Sequence, residues 1–349
     1  MKELLVKEYV DCISMGHDDV WCREDALPEE TRCRVEGMKT MARWLLGLKG
    51  DVLSAQKTFR MLNAFITQKG DLLSSGRLSQ AEMSWLRLAA GCAMLKICEQ
   101  KGVGDQYSVE QFYNLSQLMV DEVPQVREIF ATKLHKGLGK GIPNKCLPLD
   151  FMGFYALAGF ESDKRLKVLM KTYMLADINK RRDYIKQLTM GSTGGESRDS
   201  SPVQSFAAGP GCVVSCLMCG FVAGSVDKAM GQIKHILPDY MLVFAVPVLA
   251  HHPEFTSNSE IDQLTRIKQC LWFVLEPLIT KNDFYSYTFY KDLVDRMKNH
   301  KDALKPDDEA FNMVSPRFDV VNIHSNCAIR SRSCATSADW VVFLRLDLM

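Results

Sequence analysis

Apolar residues recur along most of this chain at steps of three and four, the period of a helix that buries one face. Trp85, Leu88, Ala89, Cys92 and Leu95 make one such stripe, Phe112, Leu115 and Met119 a second, and Ile129, Phe130, Leu134 and Leu138 a third. The pattern returns in Leu271, Trp272, Leu275 and Ile279. Ser79-Gln-Ala-Glu82 and Ser108-Val-Glu-Gln111 precede the first two stripes with the spacing of a capping box, in which hydroxyl and carboxyl or amide groups satisfy the free N–H groups of a helix start. Together these signals predict helix over nearly all of residues 1–190, with the stripes forming the core between stacked helices.

Basic residues open the helices at a near-constant interval: Arg87 to Arg127 is 40 residues and Arg127 to Arg165 is 38. Asp121 stands six positions before Arg127, and Asp262 six before Lys268. Such an interval predicts an all-α solenoid of stacked helix pairs, of the HEAT or armadillo type. Asp121, Arg127, Asp262 and Lys268 read as a structural ladder. An acid ending one turn can accept from the basic side chain opening the next helix, or from its neighbour in the adjacent repeat. Solenoids of this kind expose surfaces for partners, so a binding role is expected.

The helical pattern breaks near Gly191. Residues 191–235 read as a Gly/Ser/Cys-rich irregular insertion, 236–312 as further helical repeats opened by signals such as Ser259-Glu-Ile-Asp262, and 313–349 as an irregular tail. Pro247 and Pro277 are expected to interrupt their helices. Val203–Val226 carries no charge and is long enough to span a bilayer, but Gly209, Pro210, Gly211, Gly220 and Gly224, and the lack of flanking basic clusters, argue against a membrane helix.

Composition narrows the partner rather than the fold. Of 349 residues, 47% are hydrophobic and 24% charged, which suits a packed chain, and 43 Lys and Arg against 42 Asp and Glu leave a net charge of only +1. Electrostatic attraction therefore has to be local. The candidate partner-binding residues are three clusters: Lys133 and Lys136 with Lys140; Lys164, Arg165 and Lys167 with Lys171; and Lys180, Arg181 and Arg182. On one solenoid face they would engage acidic protein segments or phosphates. The twelve cysteines are scattered, and the start of the chain is charged and amphipathic, which together point to reduced thiols in the cytosol or nucleus.

Catalytic patterns are weak. Cys212, Cys216 and Cys219 have the C-x3-C-x2-C spacing of radical iron–sulfur enzymes, but no strand–helix alternation surrounds them and the nearest histidine, His235, lies well downstream. No metal or cofactor is expected. Lys136-Gly-Leu-Gly-Lys-Gly141 has Gly141 where a phosphate loop needs Ser or Thr, and His251-His252 lacks the Glu of a zinc-protease helix. No enzymatic activity is expected.

Several longer strings carry a more specific likeness. Val35-Glu-Gly-Met-Lys-Thr-Met-Ala-Arg-Trp-Leu-Leu-Gly47, Leu86-Arg-Leu-Ala-Ala-Gly91, Phe130-Ala-Thr-Lys-Leu-His-Lys136, Arg181-Arg-Asp-Tyr-Ile-Lys-Gln187 and Lys268-Gln-Cys-Leu-Trp-Phe-Val-Leu275 resemble, in order, stretches of the animal cohesin-associated HEAT-repeat regulator family named for precocious dissociation of sister chromatids. The likeness covers about residues 1–190 and 236–312. It implies a nuclear, chromatin-associated, non-catalytic scaffold in sister chromatid cohesion. Its implied partners are cohesin, through the kleisin subunit, the wings-apart-like releasing factor and sororin, with contact to DNA indirect. Family members are much longer, so the chain resembles an internal-to-late part of their solenoid. Direct nucleic-acid binding through the basic clusters, or a divergent copy without function, are the alternative readings.

Overall fold

The structure is a computed structural model that describes residues 19–48, 51–74, 76–142, 145–191, 236–253, 261–280, 282, 286–298 and 304. Cys212, Cys216 and Cys219, nearly all of the expected insertion 191–235, and the tail 313–349 lie outside the described residues. Among the described residues every regular element is helical. The chain divides into two units, 1–177 and 178–349, and the division falls inside a helix.

The first unit is built from α1 (Glu29–Gly47), α2 (Val52–Thr67), α3 (Gln80–Cys98), α4 (Val109–Ser116), α5 (Pro124–Leu138) and the first half of α6 (Lys164–Gly191). These form two layers. α1 packs on α3 and α3 on α5, while α2 packs on α4, and the 3₁₀ turn Gln117–Val120 packs on the 3₁₀ helix Leu149–Phe160. Successive helix pairs thus stack side by side, the arrangement of a HEAT-type solenoid.

Local chemistry sets the helix starts. Both capping boxes form: Ser79 Oγ accepts from the Glu82 N–H and Ser108 Oγ from the Gln111 N–H, with Glu82 and Gln111 reaching back to the cap N–H groups. Glu82 also accepts from Thr31 Oγ1 at 2.6 Å, so the cap of α3 is tied to α1 across a buried contact. α2 ends in a tight reversal through Gly70, whose φ of +102° and approach to the Met83 backbone leave no room for a side chain.

Two features depart from the periodicity. The stripe Trp85–Leu95 predicts one buried face for α3, yet 14 of its residues are buried, over most of the helix surface, while Trp85 and Cys92 of the stripe itself are only half-buried. Helices on both sides of its own layer and α2 from the other layer cover it, so Ala81, Ser84, Ala90, Gly91 and Ala93 supply the close contacts. The second departure is Leu149–Phe160, a 12-residue 3₁₀ helix where ordinary helix is expected. Runs beyond about four residues are uncommon. Here burial sustains it: Phe151 and Phe154 pack edge-on at 5.4 Å and both meet Phe112.

The second unit contains the rest of α6, α7 (Leu242–Ala250), α8 (Ile261–Thr280) and α9 (Tyr287–Lys298). Pro247 and Pro277 do not end their helices; α7 and α8 run through both. Each proline removes one N–H; Pro247 sits on a strongly apolar helix and Pro277 is itself buried with Val274 and Leu278, so packing offsets the lost hydrogen bond.

Candidate partner-binding surface

The inter-helix loops of the first unit are held by arginine forks. Arg87, projecting from α3, donates from Nε to Asp121 Oδ2 at 2.7 Å and from Nη2 to Asp121 Oδ1 at 2.9 Å, with the two side chains only 4% and 9% exposed. Asp121 Oδ1 also accepts from the Val123 N–H at the entry to α5. Forty residues on, Arg127 of α5 repeats the geometry: Nε to Glu161 Oε2 at 2.6 Å and Nη2 to Oε1 at 3.0 Å, while Glu161 Oε1 accepts from the Asp163 N–H. In both forks the acid follows its arginine by 34 residues. Arg127 Nη1 then donates to the Asp121 carbonyl at 2.7 Å, so the two forks join into one chain of contacts.

Planar two-point pairing of this kind is geometrically specific and, when buried, costly to break. Glu161 is the member that the sequence did not single out. The signal was available as the equal separation of Asp121 and Glu161 from their arginines. Arg165, at the third position, is exposed and pairs with Glu128 instead, Nη2 to Oε2 at 2.7 Å, and its hydrogen bonds hold the Glu128 carboxyl below the usual range. Of the remaining ladder residues, Asp262 is exposed and Lys268 half-buried on α8.

The three basic clusters are placed differently. Lys133 and Lys136 are exposed on α5, and Lys140, exposed just past its end, reaches Glu99 at the end of α3 at 2.5 Å. Lys164 and Arg165 are exposed at the start of α6, where Asp163 Oδ1 caps the Arg165 N–H, and Lys167 turns back to the Gly159 carbonyl at 2.7 Å. Lys180, Arg181 and Arg182 do not form one patch. Consecutive residues on a helix point to different sides: Lys180 is exposed, Arg181 is only 1% exposed, and Arg182 donates to the Leu278 carbonyl at 3.1 Å and lies 3.5 Å from Asp239.

Asp239 centres a buried polar knot in the second unit. Its Oδ1 accepts from the Tyr290 hydroxyl and from Asn282 Nδ2, and burial raises its carboxyl above the ordinary range despite the Arg182 charge. In the first unit, Asp177 accepts from the Tyr155 hydroxyl at 2.7 Å. His135 Nδ1 lies 2.9 Å from Asp177 Oδ1 but out of line for a hydrogen bond, and the His135 ring stacks on Tyr173 at 4.4 Å. These buried acids bind helix to helix. Among the described residues no His, Cys, Asp and Glu group has the make-up of a metal site, and no helix is long and apolar enough to cross a membrane.

Comparison with known proteins places these features. The sequence model of one family, described as sister chromatid cohesion protein PDS5, matches residues 1–330. That span takes in the segment 191–235 and passes residue 312, further than the strings that carry the resemblance. Human sister chromatid cohesion protein PDS5 homolog A is 33% identical over 321 residues, 92% of this chain and 21% of the relative. Xenopus laevis PDS5 homolog A-B is 34% identical over 313 residues, 89% of this chain and 20% of the relative. Xenopus laevis PDS5 homolog B-B is 33% identical over 294 residues, 84% of this chain and 17% of the relative. The chain therefore spans about a fifth of the length of these relatives.

Proposed function

The chain belongs to the PDS5 family of sister chromatid cohesion proteins, and from that premise we propose that it is a non-catalytic scaffold regulating cohesion on chromatin in the nucleus. Its direct partner is the cohesin complex, engaged through the kleisin subunit, and the wings-apart-like releasing factor and sororin act on the same assembly. The observation that carries the reading is the family match across residues 1–330. The paired arginine forks support it. They fix the loops between stacked helices and so keep the exposed side of the repeats in one shape, which lowers the entropy lost when a partner segment docks.

Within this reading the buried charges have an architectural role, and the exposed Lys133, Lys136 and Lys164 meet the partner. Charges in that position accelerate encounter more than they tighten the final complex. The test is capture of purified cohesin containing its kleisin by this chain, beside duplex DNA, at low and moderate salt. Capture of cohesin that survives moderate salt is the expected result. Retention of DNA alone, lost steeply as salt rises, would instead mark a nucleic-acid-binding protein. No capture by a helical, monodisperse chain would place the partner surface in parts of the relatives that this chain does not span.

A further inference from the structure

α2 and α4 pack side by side in one layer, and a side-chain hydrogen bond crosses the seam between them: Asn114 Nδ2 donates to Asn63 Oδ1 at 3.2 Å. Asn63 falls on a helical line with Arg60 and Thr67, and Asn114 on one with Glu110 and Gln117, at steps of three and four. Both asparagines are half-buried, and every other member of the two lines is exposed or half-buried.

An asparagine amide carries one acceptor oxygen and one NH₂ donor. Pairing two amides uses the oxygen of one and the nitrogen of the other. The Asn63 NH₂ and the Asn114 oxygen are thus left over, with no partner among the described residues. Turning both amides over only exchanges the roles, so one donor beside one acceptor remains in either assignment. Neither leftover atom is sealed from solvent.

A donor and an acceptor so placed have a definite complement. A residue of an extended chain turns its own N–H and C=O to the same edge, and in a β ladder exchanges both with the residue facing it. The free NH₂ can donate to that C=O while the free oxygen accepts from that N–H. Resting on the reading of the chain as a binding scaffold, we propose that the Asn63–Asn114 pair holds the main chain of one extended segment of a partner protein, laid on the α2–α4 seam. Main-chain hydrogen bonds then supply the affinity, as they do when a peptide adds to a sheet edge. The neighbouring side chains select a peptide over nucleic acid. Arg60 and Glu110, the charged members of the two lines, balance each other, so the seam has no excess of cations to hold a row of phosphates. Neither line carries an aromatic ring on which a base could stack. The segment that fits is uncharged or carries charges of both signs.

The experiment scans short overlapping peptides covering the kleisin subunit for binding to the full chain. Each binder is then remade with methylated backbone nitrogens, which removes its N–H groups and keeps its side chains. At least one peptide is expected to bind, and to bind at least about fivefold more weakly once methylated. Asn63→Asp is the discriminating variant. Its carboxylate still accepts from Asn114, so the bond between the helices stays, but the free donor becomes an acceptor that a peptide carbonyl opposes. It should weaken the same peptides at least about fivefold with far-UV circular dichroism unchanged, a loss that a purely structural pair would not show. Asn63→Leu with Asn114→Leu should do the same, and Gln56→Glu, which adds the same charge to α2 away from the pair, should leave affinity within about twofold. No bound peptide, binding unaltered by methylation, or equal affinity of Asn63→Asp and wild type would overturn the proposal. So would a dimer that Asn63→Asp dissolves, since the seam would then belong to a second copy. Cohesin capture separates the proposal from the broader reading: capture that Asn63→Asp leaves unchanged sinks the seam alone, and peptide binding without capture of assembled cohesin sinks the scaffold reading alone.

Discussion

Arg87 gives up its water on folding and donates instead to Asp121, the Lys69 carbonyl and the edge of Glu122. Arg87→Ala leaves the Asp121 carboxylate buried without its counter-charge, and should lower the stability of the first unit by about 3–5 kcal/mol in urea unfolding. Arg87→Met combined with Asp121→Asn should recover much of that loss, because a neutral pair carries no ionic desolvation cost. Asp239 works with the opposite sign. Its carboxyl is raised by burial, so the folded second unit binds a proton more readily than the unfolded chain does. That contribution is full below about pH 3.9, the unfolded value, and fades as pH rises through the raised folded value. Asp239→Asn keeps an acceptor for Tyr290 and removes the titration, so its melting temperature should fall less between pH 4 and 7 than the wild-type value. Local spacing singled out Asp121 and Arg127 but left open which groups each would meet. The Asp121 carboxylate takes an arginine 34 residues earlier, while Arg127 meets only its backbone carbonyl. Asp177 and Asp239 were not legible at all, since their partners come from residues far away in the chain.

Helix α3 shows what its sequence predicts and what only packing decides. Its cap could be read from Ser79 and Glu82, but its burial well beyond the stripe could not, because a single stripe says nothing of a neighbour on the other flank. Gly91 makes the difference measurable: a methyl group there would lie 2.1 Å from Leu118 Cδ1 and 3.3 Å from Phe130 Cε2. Gly91→Ala should destabilise by about 1–3 kcal/mol even though Ala favours helix. Gly37→Ala on the exposed side of α1 meets nothing within 4 Å, and should stabilise by about 0.5–1 kcal/mol in the same urea titration. The tight helix Leu149–Phe160 was likewise hidden, because its uniformly apolar residues suit an ordinary helix equally well and burial alone settles the form.

At the scale of the whole molecule, the division inside α6 predicts two unfolding steps. In scanning calorimetry, Arg87→Ala should move one transition and Asp239→Asn the other; a single transition moved by both would mean that the units unfold together. The forks bear finally on how such a chain can change length through descent. Arg87 lies 34 residues before Asp121, and Arg127 lies 34 before Glu161. Excising residues 88–127 would therefore bring Glu161 into the place of Asp121 and splice α3 to α5 in helical phase. A cut of a few residues fewer would set arginine against the wrong side of the next turn. Viable insertions and deletions between these two forks should thus come in whole forty-residue steps, as unequal recombination between neighbouring repeats would supply them.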